Sequence, residues 1–303
     1  MTELQRDFSA YIAPFGGETL TDEPLKNHCS FRIGGPAELM YIPSGEKGLA
    51  AALKYAFEKN TPLCILGNGS NVLINDEGLK GITVRLMGGL TELIYLGDGV
   101  ISCGAGVSLK KLCMFALENS LTGLEFAYGI PGSVGGAVYM NAGAYGGEIK
   151  DALYSVRSID RSGGEITETK VEDGDFSYRS TPYMRNGSII TAGIFKLQNG
   201  DKNEIKAKMD ELLARRRDKQ PLEFPSAGST FRRPKGYFAG ALIEQCGLKG
   251  RRVGGAEVSE KHAGFVINRD NASFDDVKSL IGIIRETVLA QKGVELVPEV
   301  VIL

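Results

Sequence analysis

Ser229 lies in the run Ala227-Gly228-Ser229-Thr230-Phe231-Arg232-Arg233-Pro234, a hydroxyl set beside a glycine. A serine in such a turn ordinarily bonds its own backbone, so proton chemistry there depends on what the rest of the chain brings to it. Two distant segments bring charge. Tyr178-Arg179-Ser180 carries a guanidinium whose planar donor fork suits a carboxylate that gains charge during a reaction. Val297-Pro298-Glu299-Val300 carries a carboxylate. Taken singly, Arg179 reads as a surface ion-pair residue and Glu299 as a solvated residue on a last strand.

Two glycine-rich segments, Gly67-Asn68-Gly69-Ser70-Asn71 and Gly129-Ile130-Pro131-Gly132-Ser133-Val134-Gly135-Gly136, suit the binding of an anion. A pyrophosphate is best held by several converging backbone N–H groups, and chain without bulky Cβ atoms allows that approach. Each segment alone is equally readable as a tight turn. Neither is a dinucleotide fingerprint, since the first lacks a third glycine and the following acid. Neither is followed by Gly-Lys-Ser/Thr, so a Walker loop is excluded. Gly104-Ala105-Gly106 reads as structural.

These five elements occur in an order that resembles the UDP-N-acetylenolpyruvoylglucosamine reductase family, FAD enzymes that make UDP-N-acetylmuramate for bacterial cell walls. The resemblance runs from about Asn27 to the last residues. Asn27–Pro36, which contains Ser30-Phe31-Arg32-Ile33-Gly34-Gly35, and Met140-Asn141-Ala142-Gly143-Ala144-Tyr145-Gly146-Gly147 look like the FAD domain of the vanillyl-alcohol-oxidase (PCMH) type. The resemblance implies an α+β chain. A two-lobed FAD-binding domain is expected over residues 1–200, with lobes of 1–77 and 78–200, and a C-terminal α+β substrate-binding domain over 201–303. It also implies FAD held by Arg32, Gly67, Asn68, Gly69, Ser70, Asn71, Gly129, Pro131, Gly132, Ser133, Gly135, Gly136, Asn141 and Gly143. His28 and Cys29 are residue types through which some related oxidases attach flavin covalently. The reductase family holds FAD non-covalently, and dissociable FAD is the expectation.

The implied reaction passes hydride from NADPH to flavin N5 and on to C3 of the enolpyruvyl ether in UDP-N-acetylglucosamine enolpyruvate. Negative charge then develops on C2 and its carboxylate, which calls for a stabiliser and a proton donor. By the resemblance Ser229 matches the proton donor, Arg179 the active-site arginine and Glu299 the C-terminal glutamate. A bare carboxylate at Glu299 would oppose the developing charge, so it is expected protonated or paired with a cation. The diphosphate needs cations, and Arg215-Arg216-Arg217-Asp218-Lys219 offers Arg216 and Lys219, although such a run at a helix end also simply suits the dipole. Tyr178 is a candidate pocket wall, and Lys261, His262 and Asn268 are candidates for the uridine or sugar. His262 reads equally well as a structural histidine before an apolar strand.

After Gly200 the chain has one tyrosine, Tyr237, so it resembles the shorter form of the family, which lacks a tyrosine-bearing loop. With FAD placed, no dinucleotide motif remains, and NADPH is expected to share the substrate cleft. Rival readings are an FAD oxidase of a sugar or alcohol, a non-catalytic flavin-binding module, and a UDP-sugar transferase. The last has no acidic metal-binding pair to announce it.

Composition narrows the class. The 303 residues suit two or three folded units. Apolar residues at 43% and charged residues at 24% are those of a folded domain. A net charge of −2 argues against a nucleic-acid partner held by a basic field. The five cysteines are odd in number and never spaced C-x-x-C, against a disulfide framework or a zinc site. No membrane-length apolar run and no apolar leader is evident, so a cytoplasmic protein with no membrane partner is expected.

The elements that must position these residues are partly readable. Residues 1–24 read as a short helical lead-in. Ser44 is placed to cap a helix to about Lys59, and Leu63–Leu66 reads as a buried strand delivering Gly67. Strands are expected at Ile82–Leu86, Val100–Cys103, Tyr154–Ile159 and Ile189–Leu197, with a helix capped by Ser108 between them. A composition shift near Asn199-Gly200-Asp201 suggests the domain boundary, followed by a helix with Ile205, Met209, Leu212 and Leu213 on one face. A helix over Tyr237–Cys246 should stop at Gly247. A last helix carries the capping box Ser273-Phe274-Asp275-Asp276 and the stripe Val277, Leu280, Ile281, Ile284 and Val288. Strands at His262–Asn268 and Val294–Leu303 flank it.

Overall fold

In the computed structural model, which describes residues 1–303, Thr2 caps a first helix, Glu3–Ile12, through reciprocal bonds with Gln5. The lead-in is therefore helical at its start. It then runs into the strand Glu18–Pro24, which its composition does not announce.

The chain divides into two units. The first comprises Met1–Asp22, Glu38–Asn68 and Lys80–Ala214, and the second Glu23–Ala37, Gly69–Leu79 and Arg215–Leu303. This differs from an expected boundary at residue 200. The helix that begins after Gly200 runs unbroken over Lys202–Lys219, and its apolar face (Ile205, Met209 and Leu212) is buried with the core of the first unit. The division falls inside that helix, after Ala214. Nor do residues 1–77 form one lobe, because 23–37 and 69–79 join the C-terminal residues.

The first unit holds most of a four-stranded sheet in the order Glu18–Pro24, Pro36–Ile42, Leu79–Arg85, Leu63–Leu66. The last two strands are parallel, with Leu66 opposite Arg85, so the strand Leu63–Leu66 delivers Gly67 at its end as expected. Phe8 is fully buried and meets the rings of Tyr41 and Tyr55 edge-on at 5.5 and 5.2 Å. The buried Tyr41 hydroxyl donates to the Gly16 carbonyl at 2.7 Å, which satisfies its polar end. A second, five-stranded sheet runs Thr167–Lys170, Leu153–Ile159, Ile189–Lys196, Val100–Gly104, Leu93–Gly97, antiparallel throughout. Ser108 caps the helix Leu109–Glu118 as its position suggested. Ser44 does not cap the helix that follows it, Glu46–Glu58. Its hydroxyl donates to the Phe15 carbonyl, and Gly45 is the N-cap.

In the second unit the helix Phe274–Lys292 carries the full capping box, buries Val277, Leu280, Ile281, Ile284 and Val288, and stops at Gly293 with φ of 66°. A short helix, Ala239–Gln245, precedes the three-stranded antiparallel sheet Arg252–Val253, Ala256–Val258, Val266–Asn268. Two expected strands shrink. His262–Gly264 is a turn, with Phe265 N–H bonded to the His262 carbonyl, so only Val266–Asn268 is strand. Near the end only Val301–Ile302 is strand, parallel to Val72–Leu73, because Pro298 has no N–H to continue a ladder.

Candidate active site

The serine turn and the C-terminal glutamate are built as a pair inside the second unit. Gly228 has φ of 75° and open space where a Cβ would stand, and this turn leaves Ser229 exposed. Thr230 then locks the chain from all sides. Its N–H donates to the Gly264 carbonyl at 2.9 Å, its buried hydroxyl accepts from Val266 N–H at 3.0 Å, and its carbonyl accepts from Glu299 N–H at 2.8 Å. Phe231 faces Pro298 in an antiparallel bridge, and Arg232 N–H reaches the Val297 carbonyl at 2.9 Å. The Ser229 hydroxyl, meanwhile, donates to the Phe231 carbonyl at 3.2 Å.

Asn71 holds Glu299 from the other side. Its side-chain amide donates to the Glu299 carbonyl at 3.1 Å, and its own carbonyl accepts from Val301 N–H at 2.9 Å. Ser30 ties the same region together: its N–H reaches the Gly69 carbonyl at 3.0 Å and its hydroxyl the Ser226 carbonyl at 2.6 Å. The segments singled out for flavin, 27–36 and 69–71, thus share a unit with Ser229 and Glu299.

The glycines of the first segment are required by close approach. A Cβ on Gly67 would stand 2.4 Å from the Ser133 hydroxyl, so within the first unit the two glycine segments meet there. Gly69 has φ of 60°, and its Cβ would fall 2.2 Å from the His28 carbonyl. Backbone bare of Cβ atoms at Gly67 and Gly69 is where converging N–H groups can hold a pyrophosphate.

The second segment is arranged differently from a simple turn. Ser133 is buried and caps a seven-residue helix, Val134–Met140. Val134 and Gly135 N–H groups donate to the carbonyls of Val107 and Ala105, both at 2.8 Å, and Gly136 N–H to the Ser133 hydroxyl at 3.4 Å. These amides serve the chain rather than an outside anion. Gly135 is glycine for packing, since its Cβ would meet Ala105 Cβ at 2.8 Å. Gly129 and Pro131 lie in the loop before the cap, with Pro131 exposed and Gly132 buried.

Arg179 sits in the first unit with φ of 53°, a left-handed conformation rare for so large a residue. Ser177 and Ser180 bond to each other across a two-residue turn, at 2.9 and 3.1 Å, that presents Tyr178 and Arg179. The guanidinium lies 4.9 Å from the centre of the Tyr178 ring and donates to the Asn141 carbonyl at 3.2 Å. Arg32, exposed, is likewise left-handed at 57°. Gly143 opens a hairpin whose tip is Tyr145-Gly146, both at positive φ.

The remaining candidates are on the second unit. Arg216 is half-buried and Lys219 exposed at the end of the helix Lys202–Lys219. Lys261 Nζ donates to the Arg217 carbonyl at 2.6 Å and lies 3.8 Å from Glu223. His262 accepts Gly264 N–H at Nδ1, so its neutral form carries its proton on Nε2, and burial pushes its pKa below the ordinary value. Asn268 is buried and spends its side chain on Phe31 and Ala272, a structural duty instead of a ligand contact. Cys29 is also buried. Its thiol bonds the Ile33 carbonyl at 3.2 Å and burial pushes its pKa up, while His28 pairs with Glu23 at 2.7 Å. Neither has the character of an activated flavin attachment point.

Thr230 carries no signal that a sequence reading would catch, since its importance lies in partners dozens of positions away. No group of His, Cys, Asp and Glu able to hold a metal is present.

Known proteins share this layout. Residues 37–170 match a family model described as FAD binding domain. Residues 220–303 match one described as UDP-N-acetylenolpyruvoylglucosamine reductase, C-terminal domain. About two thirds of the chain, 66%, superposes on 44% of a berberine bridge enzyme variant at 14% identity and TM-score 0.50, a likeness of fold. The chain is thus an α+β flavoprotein with an FAD-binding domain and a C-terminal domain of the reductase type.

UDP-N-acetylenolpyruvoylglucosamine reductases of Clostridium tetani and Geobacillus thermodenitrificans are 44% and 46% identical to it. The first match covers 98% of this chain and 97% of the relative, the second 100% and 99%. The crystal structure of the Thermus caldophilus reductase matches at TM-score 0.79 and 35% identity, over 95% of this chain and 98% of that one. The chain belongs to the UDP-N-acetylenolpyruvoylglucosamine reductase family and is an FAD-dependent oxidoreductase.

Proposed function

We propose that this chain reduces UDP-N-acetylglucosamine enolpyruvate to UDP-N-acetylmuramate with NADPH, in the synthesis of peptidoglycan precursors. The observation that supports the reading is the clasp of Thr230, whose carbonyl accepts from Glu299 N–H beside the Phe231–Pro298 bridge and so ties the main chain of the serine turn to that of the C-terminal glutamate. Bound FAD would supply the hydride-transfer chemistry that links NADPH to C3 of the enolpyruvyl group. The loop Gly67–Asn71, bare of Cβ atoms at Gly67 and Gly69, is the best-fitted holder of the pyrophosphate.

Ser229 gives C2 its proton. A hydroxyl is a weak acid, but the carbon it serves is strongly basic, so the transfer is downhill. Its bond to the Phe231 carbonyl, at 3.2 Å, is long for an O–H donor and would be given up to the substrate. Arg179 faces the substrate carboxylate with a preorganised fork. Arg216 and Lys219 take the diphosphate, with Tyr178, Lys261 and His262 along the rest of the UDP-sugar. His262 would offer its Nε2–H as a donor. NADPH uses the same cleft as the sugar nucleotide, which gives ping-pong kinetics. No helix of the structure is long and apolar enough to cross a membrane. The enzyme acts in the cytoplasm, with no nucleic-acid or membrane partner.

Anaerobic stopped-flow on the purified flavoprotein tests the reading. Bleaching of the flavin by NADPH and recovery on adding the enolpyruvyl substrate is the expected result. Bleaching without recovery would favour an oxidase on the same fold, and absence of flavin would remove the reading altogether.

A further inference from the structure

Asn141 is fully buried and left-handed, with φ of 43°, at the end of the helix Val134–Met140. Its side chain has one acceptor and two donor hydrogens, and each end is used within the chain. Nδ2 donates to Glu148 Oε2 at 3.0 Å and to the Ser177 carbonyl at 3.1 Å, and Oδ1 accepts Lys150 N–H at 3.2 Å. An amide so committed has little left for a cofactor, although its place in the sequence suggested flavin contact. What it touches instead is the base of the turn that presents Arg179. The main-chain carbonyl of the same residue accepts from Arg179 Nη1.

We infer that Asn141, held by Glu148, is the positioning residue for Arg179. It grips the arginine twice, through Ser177 at the base of the turn and through the guanidinium at its tip. Thr181 makes a second anchor for the same segment, its hydroxyl bonded to the Tyr139 carbonyl at 2.9 Å. Both Asn141 and Arg179 stand in a left-handed conformation, which an asparagine tolerates and a residue as large as arginine rarely adopts. Strain of this kind persists where surrounding bonds over-determine it, and here they aim one donor fork.

Glu148 belongs to the grip because its carboxylate fixes the direction of the Asn141 amide. It is itself fixed by the hairpin Gly143–Ala144/Gly147–Glu148 and by Lys150 at 3.2 Å. Gly143 must be glycine for this arrangement, since a Cβ there would stand 3.0 Å from Glu148 Cγ and 2.8 Å from the Gly147 carbonyl. The inference rests on Arg179 serving the enolpyruvyl carboxylate, and its test separates the two claims.

The variants are Asn141→Gly, which tolerates the left-handed backbone and removes only the side chain, Glu148→Ala, and Glu148→Gln, whose amide oxygen still accepts from Asn141. Two readouts are taken on the holoenzyme. In stopped-flow, Asn141→Gly and Glu148→Ala are expected to be reduced by NADPH at near the wild-type rate and reoxidised by the enolpyruvyl substrate about 10²-fold more slowly, the scale of loss from a misplaced group. Glu148→Gln should behave as wild type, and Asn141→Gly should add little in an Arg179→Ala background. The second readout needs no turnover: labelling of Arg179 by an arginine-selective dicarbonyl, mapped by mass spectrometry, should accelerate in Asn141→Gly and Glu148→Ala and not in Glu148→Gln.

Unchanged labelling, equal slowing of both half-reactions, or full additivity with Arg179→Ala would each overturn the inference. A wild-type enzyme that never recovers from bleaching would instead fail the proposed reaction, and the labelling would still decide whether Asn141 holds Arg179.

Discussion

The backbone N–H of Glu299 donates to the carbonyl of Thr230 at 2.8 Å, so the glutamate is fixed one pairing step from Ser229. Their two segments are joined by main-chain bonds, which a side-chain substitution leaves in place. Ser229→Ala should therefore fold and bind FAD normally. NADPH reduction of the flavin is expected at near the wild-type rate, with reoxidation by substrate slowed roughly 10²–10⁴-fold. Equal slowing of both halves would make Ser229 a structural residue.

Arg179→Lys keeps the charge and loses the fork. The ammonium cannot reproduce planar donation to a carboxylate. Reoxidation should fall by about 10²-fold or more, the range for one lost oxyanion donor. A lysine variant matching wild type in single-turnover measurements would show that charge alone suffices.

Gly67→Ala places a methyl 2.4 Å from the Ser133 hydroxyl, where one of the two must move. The expected result is a protein that folds yet retains less flavin, read as the ratio of flavin to protein absorbance after gel filtration. Gly69→Ala meets backbone at 2.2 Å and a left-handed φ as well, and should lose more.

The flavin should leave the protein on acid precipitation. Cys29 is buried with its thiol bonded to Ile33, and His28 is engaged by Glu23. Yellow colour that stays with the precipitated chain would contradict this.

Asp276 gives an acid limb to stability. The Ser273 N–H, first, and the Gly255 N–H bond its carboxylate, which holds its pKa below the ordinary value. As pH falls the unfolded chain takes up the proton before the folded one does. The contribution is thus complete above about pH 4, the unfolded carboxylate range, and lost as pH drops through the lower folded value. Asp276→Asn should flatten the pH dependence of the urea midpoint across that window and lower the midpoint at neutral pH. Ser273→Ala should cost about 1 kcal/mol, the worth of a cap.

Local signals were readable. The helix Phe274–Lys292 could be placed with its cap, stripe and stop from sequence, because each device acts within a few residues. The helix Val134–Met140 was hidden by its glycines, which are poor helix formers and are there for packing on Ala105. The domain division escaped because the helix Lys202–Lys219 crosses it without a break. Of the candidate residues, Ser229 and Glu299 lie on segments that main-chain bonds join, through Thr230. Asn141, Asn268 and Gly135 turned out to be committed inside the chain. Partners across such distances leave no periodicity to read.

The parallel pairing of Val72–Leu73 with Val301–Ile302 has a consequence for synthesis. A ribosome releases the residues around Asn71 long before their strand partners exist. Until residue 301 emerges, the edge at Val72 is open, and closing it spans about three quarters of the chain, a slow step by the logic of contact order. A bare strand edge of this kind in an incomplete chain is a site for aggregation, so pairing of Val301–Ile302 is expected to close that liability last.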